Sequence, residues 1–312
     1  MHKRITAFAP ATVANVGCAF DVLGFALLDP GDTVTAEAVA APGVQLTSVT
    51  GDGGKLPKES ATNCAGVAVA ALWDAARPDF GVNLSLTKGL PLGSGMGSSA
   101  ASSAAALFAA NRLLKKPLPP LELVPFAMEG ERLACGSAHA DNVAPALLGG
   151  FALIRSYSPL DVIKLPAPSS LHVTICHPQI EINTKDARDI LKKKVPLATA
   201  VAQWGNVAGL VAGILQSDFE LMRRSLLDHI VEPERTLLVP GYEAVKNAAL
   251  QAGALNCNLS GSGPAVFSFS RNAVDAREIA LAMAAAFKTV RVASESFISR
   301  VNNDGPCIIA AE

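Results

Sequence analysis

The segment Pro91-Leu92-Gly93-Ser94-Gly95-Met96-Gly97-Ser98-Ser99-Ala100-Ala101 concentrates the residue types that can hold an anion. Three glycines at alternate positions free the backbone to turn its N–H groups inward, forming a concavity suited to phosphate oxygens. Ser98 and Ser99 stand where a helix should begin, able to cap it and to offer hydroxyls to a phosphate or a hard metal ion. The helix dipole would add favourable potential for a polyphosphate. Seven alanines among residues 100–110 let neighbouring backbones approach that helix closely. Two familiar phosphate patterns are absent. GxxxxGK[ST] fails because Ser98 stands where lysine should follow the glycine, and GxGxxG fails because the glycines run G-x-G-x-G. The structural alternative is a plain glycine-rich turn leading into an alanine helix.

The elements that must position this loop can be read from periodicity. Residues 4–16 and 31–50 are rich in Val, Thr and alternating apolar positions, with Asp29-Pro30-Gly31-Asp32 as the expected turn of a hairpin or meander. A helix is expected over 63–76, a strand over 82–87, the alanine-rich helix over 98–114, and a further helix over 121–134 closed by Gly136. In the second half the pattern predicts a strand at 171–177 and helices at 184–193, 197–216, 219–230 and 242–252. Strands 255–259 and 265–270 should flank a Ser-Gly-Ser-Gly turn, with helix 273–286 and strand 289–293 after them. Strands and helices mix without strict βαβ alternation, so the class is α+β. A loop-like stretch from Ser156 to Pro168 suggests two domains, 1–160 and 161–312, which the length of 312 residues supports.

Bulk properties exclude several functions. A net charge of −1 argues against a nucleic-acid binder working through a basic surface. No uninterrupted apolar run approaches the ~18 residues of a spanning helix, so no membrane is expected. Thr6, Pro10, Thr12 and Asn15 interrupt the mildly apolar N-terminal stretch, so a signal peptide is not expected and the chain reads as cytoplasmic. Cys18, Cys64, Cys135, Cys176, Cys257 and Cys307 lack CxxC pairing or a His partner at metal spacing, which favours reduced, mostly buried thiols.

The glycine-rich stretch resembles the second motif of the GHMP kinases (galactokinase, homoserine kinase, mevalonate kinase and phosphomevalonate kinase), Pro-x-x-x-Gly-Leu-Gly-Ser-Ser-Ala, with Met96 replacing leucine. Pro10 to Asp21 resembles the family's first motif and Asn258-Leu259-Ser260-Gly261-Ser262-Gly263-Pro264 its third, in the family's order. The resemblance implies a ribosomal-S5-like N-terminal domain, a ferredoxin-like C-terminal domain, ATP and Mg²⁺ as cofactors, and a homodimer. Where sugar and mevalonate kinases carry Pro-Gly-Lys, this chain reads Pro10-Ala11-Thr12, then Asn15-Val16-Gly17-Cys18-Ala19-Phe20-Asp21, which is similar to the homoserine kinase form. Cys18-Ala19 departs from the usual small pair.

That form implies L-homoserine as the second substrate. Asn15 and Asp21 could accept from its ammonium or orient its hydroxyl. Arg188, in Thr184-Lys185-Asp186-Ala187-Arg188, and Arg235, closing Asp228 to Arg235, could form a bidentate fork on its carboxylate. By the same resemblance Glu131 is the acidic Mg²⁺ ligand beside the Ser98 and Ser99 hydroxyls, with Glu129 as a decoy. His139, Asp141 and Asn142 are placed near the substrate. Asn142 falls at the position of the family's catalytic aspartate, so direct attack by the substrate hydroxyl is expected, with Asp141, Asn142 and Arg188 closest to the chemistry. The nucleotide is expected on Pro91 to Ser99 (Pro91, Leu92, Gly93, Ser94, Gly95, Met96, Gly97, Ser98, Ser99), with Asn63 near the adenine and Thr184 and Gly261 nearby.

Overall fold

The structure, a computed structural model, describes residues 3–312; the side chains of Cys135 and Thr184 lie outside the described set. Strands β1 (Arg4–Val16) and β2 (Ala19–Val39) form a long antiparallel pair running from Arg4↔Glu37 to Val16↔Ala19. Its turn is Gly17-Cys18, where Gly17 has φ +54 and an added Cβ would lie 2.8 Å from the Leu226 carbonyl oxygen. The turn expected at Asp29–Asp32 instead lies inside β2. The polar cluster misleads because Asp32 is fully buried and hydrogen-bonded in the interior.

Strand β3 (Val44–Thr50), helix α1 (Cys64–Ala76), β4 (Gly81–Thr87), α2 (Ser98–Asn111), α3 (Pro120–Cys135), α4 (Val143–Leu148), β5 (Phe151–Tyr157) and β6 (Leu160–Leu165) complete the first half. Then come β7 (His172–Pro178), α5 (Thr184–Asp189), α6 (Leu197–Gln216), α7 (Phe219–Ser225), α8 (Glu232–Arg235), α9 (Tyr242–Gln251), β8 (Asn258–Leu259), β9 (Val266–Ser270), α10 (Ala273–Thr289), β10 (Ser294–Arg300) and β11 (Cys307–Ala311).

One sheet runs β11-β1-β2-β4-β3, with β5 on β2 and β6 on β5; its β3–β4 pair is parallel and the rest antiparallel. The second runs β10-β7-β9-β8, all antiparallel. Three apolar layers hold them. Helices α1 to α4 pack on one face of the first sheet, with α2 buried from Ala100 to Asn111. Phe25 and Phe151 of the first sheet meet Phe267 and Phe269 of the second, Phe25 lying 5.8 and 5.2 Å from the latter two rings. Helices α9 and α10 cover the outer face of the second sheet.

Several elements depart from their sequence expectation. Strand β6 occupies part of the stretch read as loop, and β11 returns to the first sheet. The helix expected over 219–230 ends at Ser225, and the Asp228 carboxylate accepts the N–H groups of Ile230, Val231 and Glu232 in the turn that leads to α8. Helix α5 stops at Asp189. The strand expected at 289–293 begins only at Ser294, after α10 has run to Thr289 and Arg291 has taken φ +61. Helix α6 is apolar and long enough to cross a membrane by length and composition, although Thr199, Gln203 and Asn206 interrupt its apolar run. Its Leu210 and Ile214 enter the core, and Gln203 bonds inside the protein.

Candidate active site

The glycine loop folds as its spacing predicts: Gly93, Gly95 and Gly97 take φ values of +63, +79 and +65. All three lie in the left-handed region that favours glycine. Close approach forbids side chains as well. A Cβ on Gly95 would sit 2.5 Å from the Ser260 carbonyl oxygen, and one on Gly97 1.9 Å from Thr12 Oγ1. The three glycine-containing motifs are stitched together here. The Thr12 N–H donates to Met96 O at 3.1 Å, Ser260 Oγ to Gly95 O at 2.6 Å, and the Ala265 N–H to Ser94 O at 3.1 Å. Gly97, with no side-chain cap, is the N-cap of α2, so Ser98 and Ser99 lie in the first turn and do not cap it.

An ion pair that the sequence did not disclose lies under this helix start. Lys88 at the end of β4 and Asp32 of β2 pair with side chains 1% and 0% exposed. The Lys88 ammonium also donates to Ser98 O and Ser102 Oγ, both at 2.9 Å, while Asp32 accepts from Ser102 Oγ at 2.7 Å and the Gly89 N–H at 2.9 Å. All three ammonium protons are used, which is the condition for a buried charge to be tolerated. Nothing in a strand-end lysine distinguishes it in sequence from a surface one.

The loop opens into a cleft of about 450 Å³ lined by residues of all three motifs. Of the nucleotide residues expected, Asn63, Leu92, Gly93, Ser94, Gly95, Gly97, Ser98, Ser99 and Gly261 line it. Two do not. The Met96 side chain is fully buried in the core, and Pro91 lines a neighbouring groove. The Thr184 side chain is outside the described residues. Asn63 caps α1, accepting from the Ala65 N–H and donating to Pro57 O, both at 3.0 Å. It therefore shapes the apolar end of the cleft, where Leu56, Pro57, Leu133 and Ala134 lie.

Ser98, Ser99 and Glu131 converge beside the loop. Ser99 Oγ donates to Glu131 Oε1 at 2.5 Å, Glu131 is buried, and Ser98 Oγ is buried without a hydrogen-bond partner among the described residues. A carboxylate and two hydroxyls, one of them the orphaned buried Ser98 Oγ, form a hard-oxygen donor set, which suits Mg²⁺ completed by phosphate oxygens and water. Glu129, the expected decoy, pairs with Arg132 on the surface.

The other end of the cleft is charged. Asn15 and Asp21 have φ values of +56 and +59, a conformation that Asn and Asp tolerate better than other non-glycine residues. Asn15 Oδ1 accepts the Asp21 N–H at 2.8 Å, and Asn15 Nδ2 donates to Gly261 O at 2.9 Å. Tyr157, another residue missed in sequence, donates to Asp21 O at 3.0 Å and accepts from the Ala140 N–H. Arg188 forms a bidentate pair with Asp21, at 3.0 and 2.7 Å. Arg235 is 2% exposed and donates to Ala187 O at 2.9 Å and Gly261 O at 3.1 Å. Burial, with Arg188 nearby, lowers its pKa to about 10, so it stays charged at neutral pH.

His139 Nδ1 lies 3.8 Å from Asp21 Oδ1; burial pushes the imidazole below its usual value despite that carboxylate. Asp141 is 3% exposed, and burial together with Asp21 and Glu131 raises its carboxyl to about 7. Asn142 Oδ1 accepts from Thr12 Oγ1 at 2.7 Å. An amide is too weak a base to take a proton from a hydroxyl at neutral pH.

The family model of the GHMP kinase N-terminal domain matches residues 61–150, and that of the C-terminal domain matches 210–289. A homoserine kinase from Chlorobium phaeobacteroides strain BS1 is 49% identical, the alignment covering 98% of this chain and 100% of the relative. The chain belongs to the homoserine kinases of the GHMP family. A crystal structure of homoserine kinase from Cytophaga hutchinsonii superposes on this kinase with a TM-score of 0.95 at 53% identity, covering 99% and 98% of the two chains. An L. major mevalonate kinase crystallised with R-mevalonate shares the fold alone: 15% identity, TM-score 0.69, coverage 94% and 95%. The two-domain α+β GHMP kinase architecture is thus common to all three.

Proposed function

We propose that the kinase transfers the γ-phosphoryl group of ATP to the side-chain hydroxyl of L-homoserine, giving O-phospho-L-homoserine on the route to threonine, with Mg²⁺ as the assisting ion. One observation carries the reading. A glycine loop heading a buried alanine helix shares a single cleft with a paired Arg188–Asp21 and a buried Arg235. The loop amides would hold the triphosphate, and Ser98, Ser99 and Glu131 would hold the metal, which when bound neutralises phosphate charge. Residues 1–160 are taken as the nucleotide domain, whose sheet β6 and β11 complete, and 161–312 as the second domain, with Gly261 reaching across.

Phosphoryl transfer passes through a loose transition state and depends mainly on positioning and charge neutralisation. Arg188 and Arg235 would fix the substrate carboxylate, with Asp21 taking the ammonium. His139, neutral near pH 7, and Asp141 line the space between Asp21 and Glu131. The hydroxyl attacks directly, next to the Asn142 amide, and its proton passes to phosphate or solvent.

The kinase is expected in the cytoplasm, where ATP is available. It is also expected to act as a homodimer, for which the exposed Leu197, Val201 and Trp204 of α6 offer an apolar surface that sedimentation of the Trp204→Glu variant would test. The functional test is ADP release with L-homoserine, L-threonine or L-serine as acceptor. Homoserine should be preferred by at least about tenfold in kcat/KM, a gap of about 1.4 kcal/mol. Arg235→Ala should raise the KM for homoserine about 100-fold without moving that for ATP. Equal turnover of all three acceptors would overturn the assignment.

A further inference from the structure

Between the two arginines lies a residue that the chemistry above does not use. The Phe20 ring carries the Arg188 guanidinium carbon 5.0 Å from its centroid and the Arg235 carbon also 5.0 Å from it. Two guanidinium groups aimed at one carboxylate repel each other before that carboxylate arrives. An aromatic face, with its negative quadrupole, is an uncharged surface that attracts both. It does so without competing for the N–H groups a ligand needs.

The two arginines are held differently. Arg235 is fixed by the carbonyls of Ala187 and Gly261. Ala187 immediately precedes Arg188, so that bond also fixes the base of the second side chain. Beyond its base, Arg188 is held by the Asp21 carboxylate and the Phe20 ring. Phe20 and Asp21 are consecutive in the first motif, so one dipeptide supplies both contacts. An arriving α-amino acid brings an ammonium for Asp21 and a carboxylate for Arg188. The ion pair inside the protein is thereby exchanged for two with the ligand. During that exchange Arg188 loses both hydrogen bonds to Asp21 and keeps the ring.

We propose that Phe20 is a positioning residue for substrate recognition, its ring holding Arg188 and Arg235 as a preformed carboxylate fork while Arg188 passes from Asp21 to the substrate. The proposal rests on the amino-acid assignment of this pocket, and it names the device that makes the fork selective. Phe20→Leu keeps the apolar bulk and removes the π face; Phe20→Tyr restores the face.

The experiment compares L-homoserine with 3-aminopropan-1-ol, which lacks only the carboxylate. In Phe20→Leu the KM for homoserine should rise about tenfold while that for ATP stays within twofold. The preference for homoserine over the amino alcohol, as the ratio of kcat/KM values, should fall about tenfold, and Phe20→Tyr should restore it to within threefold. A packing defect would instead move the ATP and amino-alcohol constants together with that for homoserine. That outcome overturns the proposal, as does an unchanged preference in Phe20→Leu or failure of tyrosine to restore it. If the wild-type kinase itself does not turn over homoserine, the amino-acid reading falls and the fork with it. Wild-type turnover with an indifferent Phe20→Leu removes only the role given to Phe20.

Discussion

At the end of the cleft proposed for the nucleotide, the groups offered to a ligand are backbone amides and short hydroxyls, fixed by glycine torsions and by bonds from Thr12, Ser260 and Ala265. At the end proposed for the amino acid they are charged side chains, already bonded to one another through Arg188 and Asp21. The first arrangement is complete before any ligand arrives, and its specificity lies in the backbone. The second satisfies its own charges and must exchange partners to bind. Substitutions should therefore act differently at the two ends, through steric exclusion at one and unpaired charge at the other.

The largest effect is expected where the backbone leaves no room. In Gly97→Ala the new Cβ would lie 1.9 Å from Thr12 Oγ1 at a φ of +65. The kcat/KM for ATP should fall at least about 1,000-fold, about 4 kcal/mol of transition-state stabilisation. Homoserine binding, measured by calorimetry, should survive. Simultaneous loss of both would mean the two ends are not separable.

Next comes the buried pair beneath the loop. Lys88→Met leaves Asp32 charged and unpaired in the interior, which costs about 3–5 kcal/mol of stability for a pair of this kind. Adding Asp32→Asn removes the stranded charge and should recover a good part of the loss in a denaturant titration. No recovery in the double variant would mean that the lysine stabilises by packing alone. Glu131→Gln should act on turnover more than on folding. With the carboxylate neutralised, kcat should fall about 100-fold, about 2.7 kcal/mol, and half-saturation by Mg²⁺ should move to higher concentration. An unchanged Mg²⁺ dependence would remove Glu131 from the metal site.

The same contrast explains what could be read in the sequence. The glycine loop was legible because glycine alone takes left-handed torsions without strain, so alternate glycines before an alanine helix mark a backbone free to turn its amides inward. Helices α1, α2 and α6 followed from local periodicity, and Arg188 and Arg235 from the motifs around them. The continuity of β2 through this segment was not legible, because Asp29-Pro30-Gly31-Asp32 has the composition of a turn and only the tertiary partners of Asp32 keep it inside. Lys88 was hidden for the same reason. Met96 misled in the opposite direction, being inside the motif by position and inside the core by contact. The return of β11 to the edge of β1 is a pairing across some 300 residues, which no local pattern encodes.

Asp141 should give the smallest change in rate, and it separates the two ends most finely. Its carboxyl, raised to about 7 by burial and by Asp21 and Glu131, lies above its unfolded value. The native state therefore binds more protons than the unfolded state between about pH 4 and pH 7, and stability falls as pH rises through that window. Asp141→Asn removes this slope, so its advantage in melting temperature over the wild type should be small at pH 4.5 and grow up to pH 8. If attack on phosphorus needs no protein base, kcat should change less than about tenfold, under about 1.4 kcal/mol, with the main loss in homoserine affinity as the amide weakens the negative field facing the ammonium. A fall of several orders of magnitude in single-turnover rate, with affinity intact, would make Asp141 the base and overturn direct attack. Because the wild-type carboxyl titrates near neutrality, the pH profile of kcat distinguishes these cases: a base gives a rate rising through about pH 7 that the variant lacks, whereas a binding role leaves the profile of kcat alike in both and moves only KM.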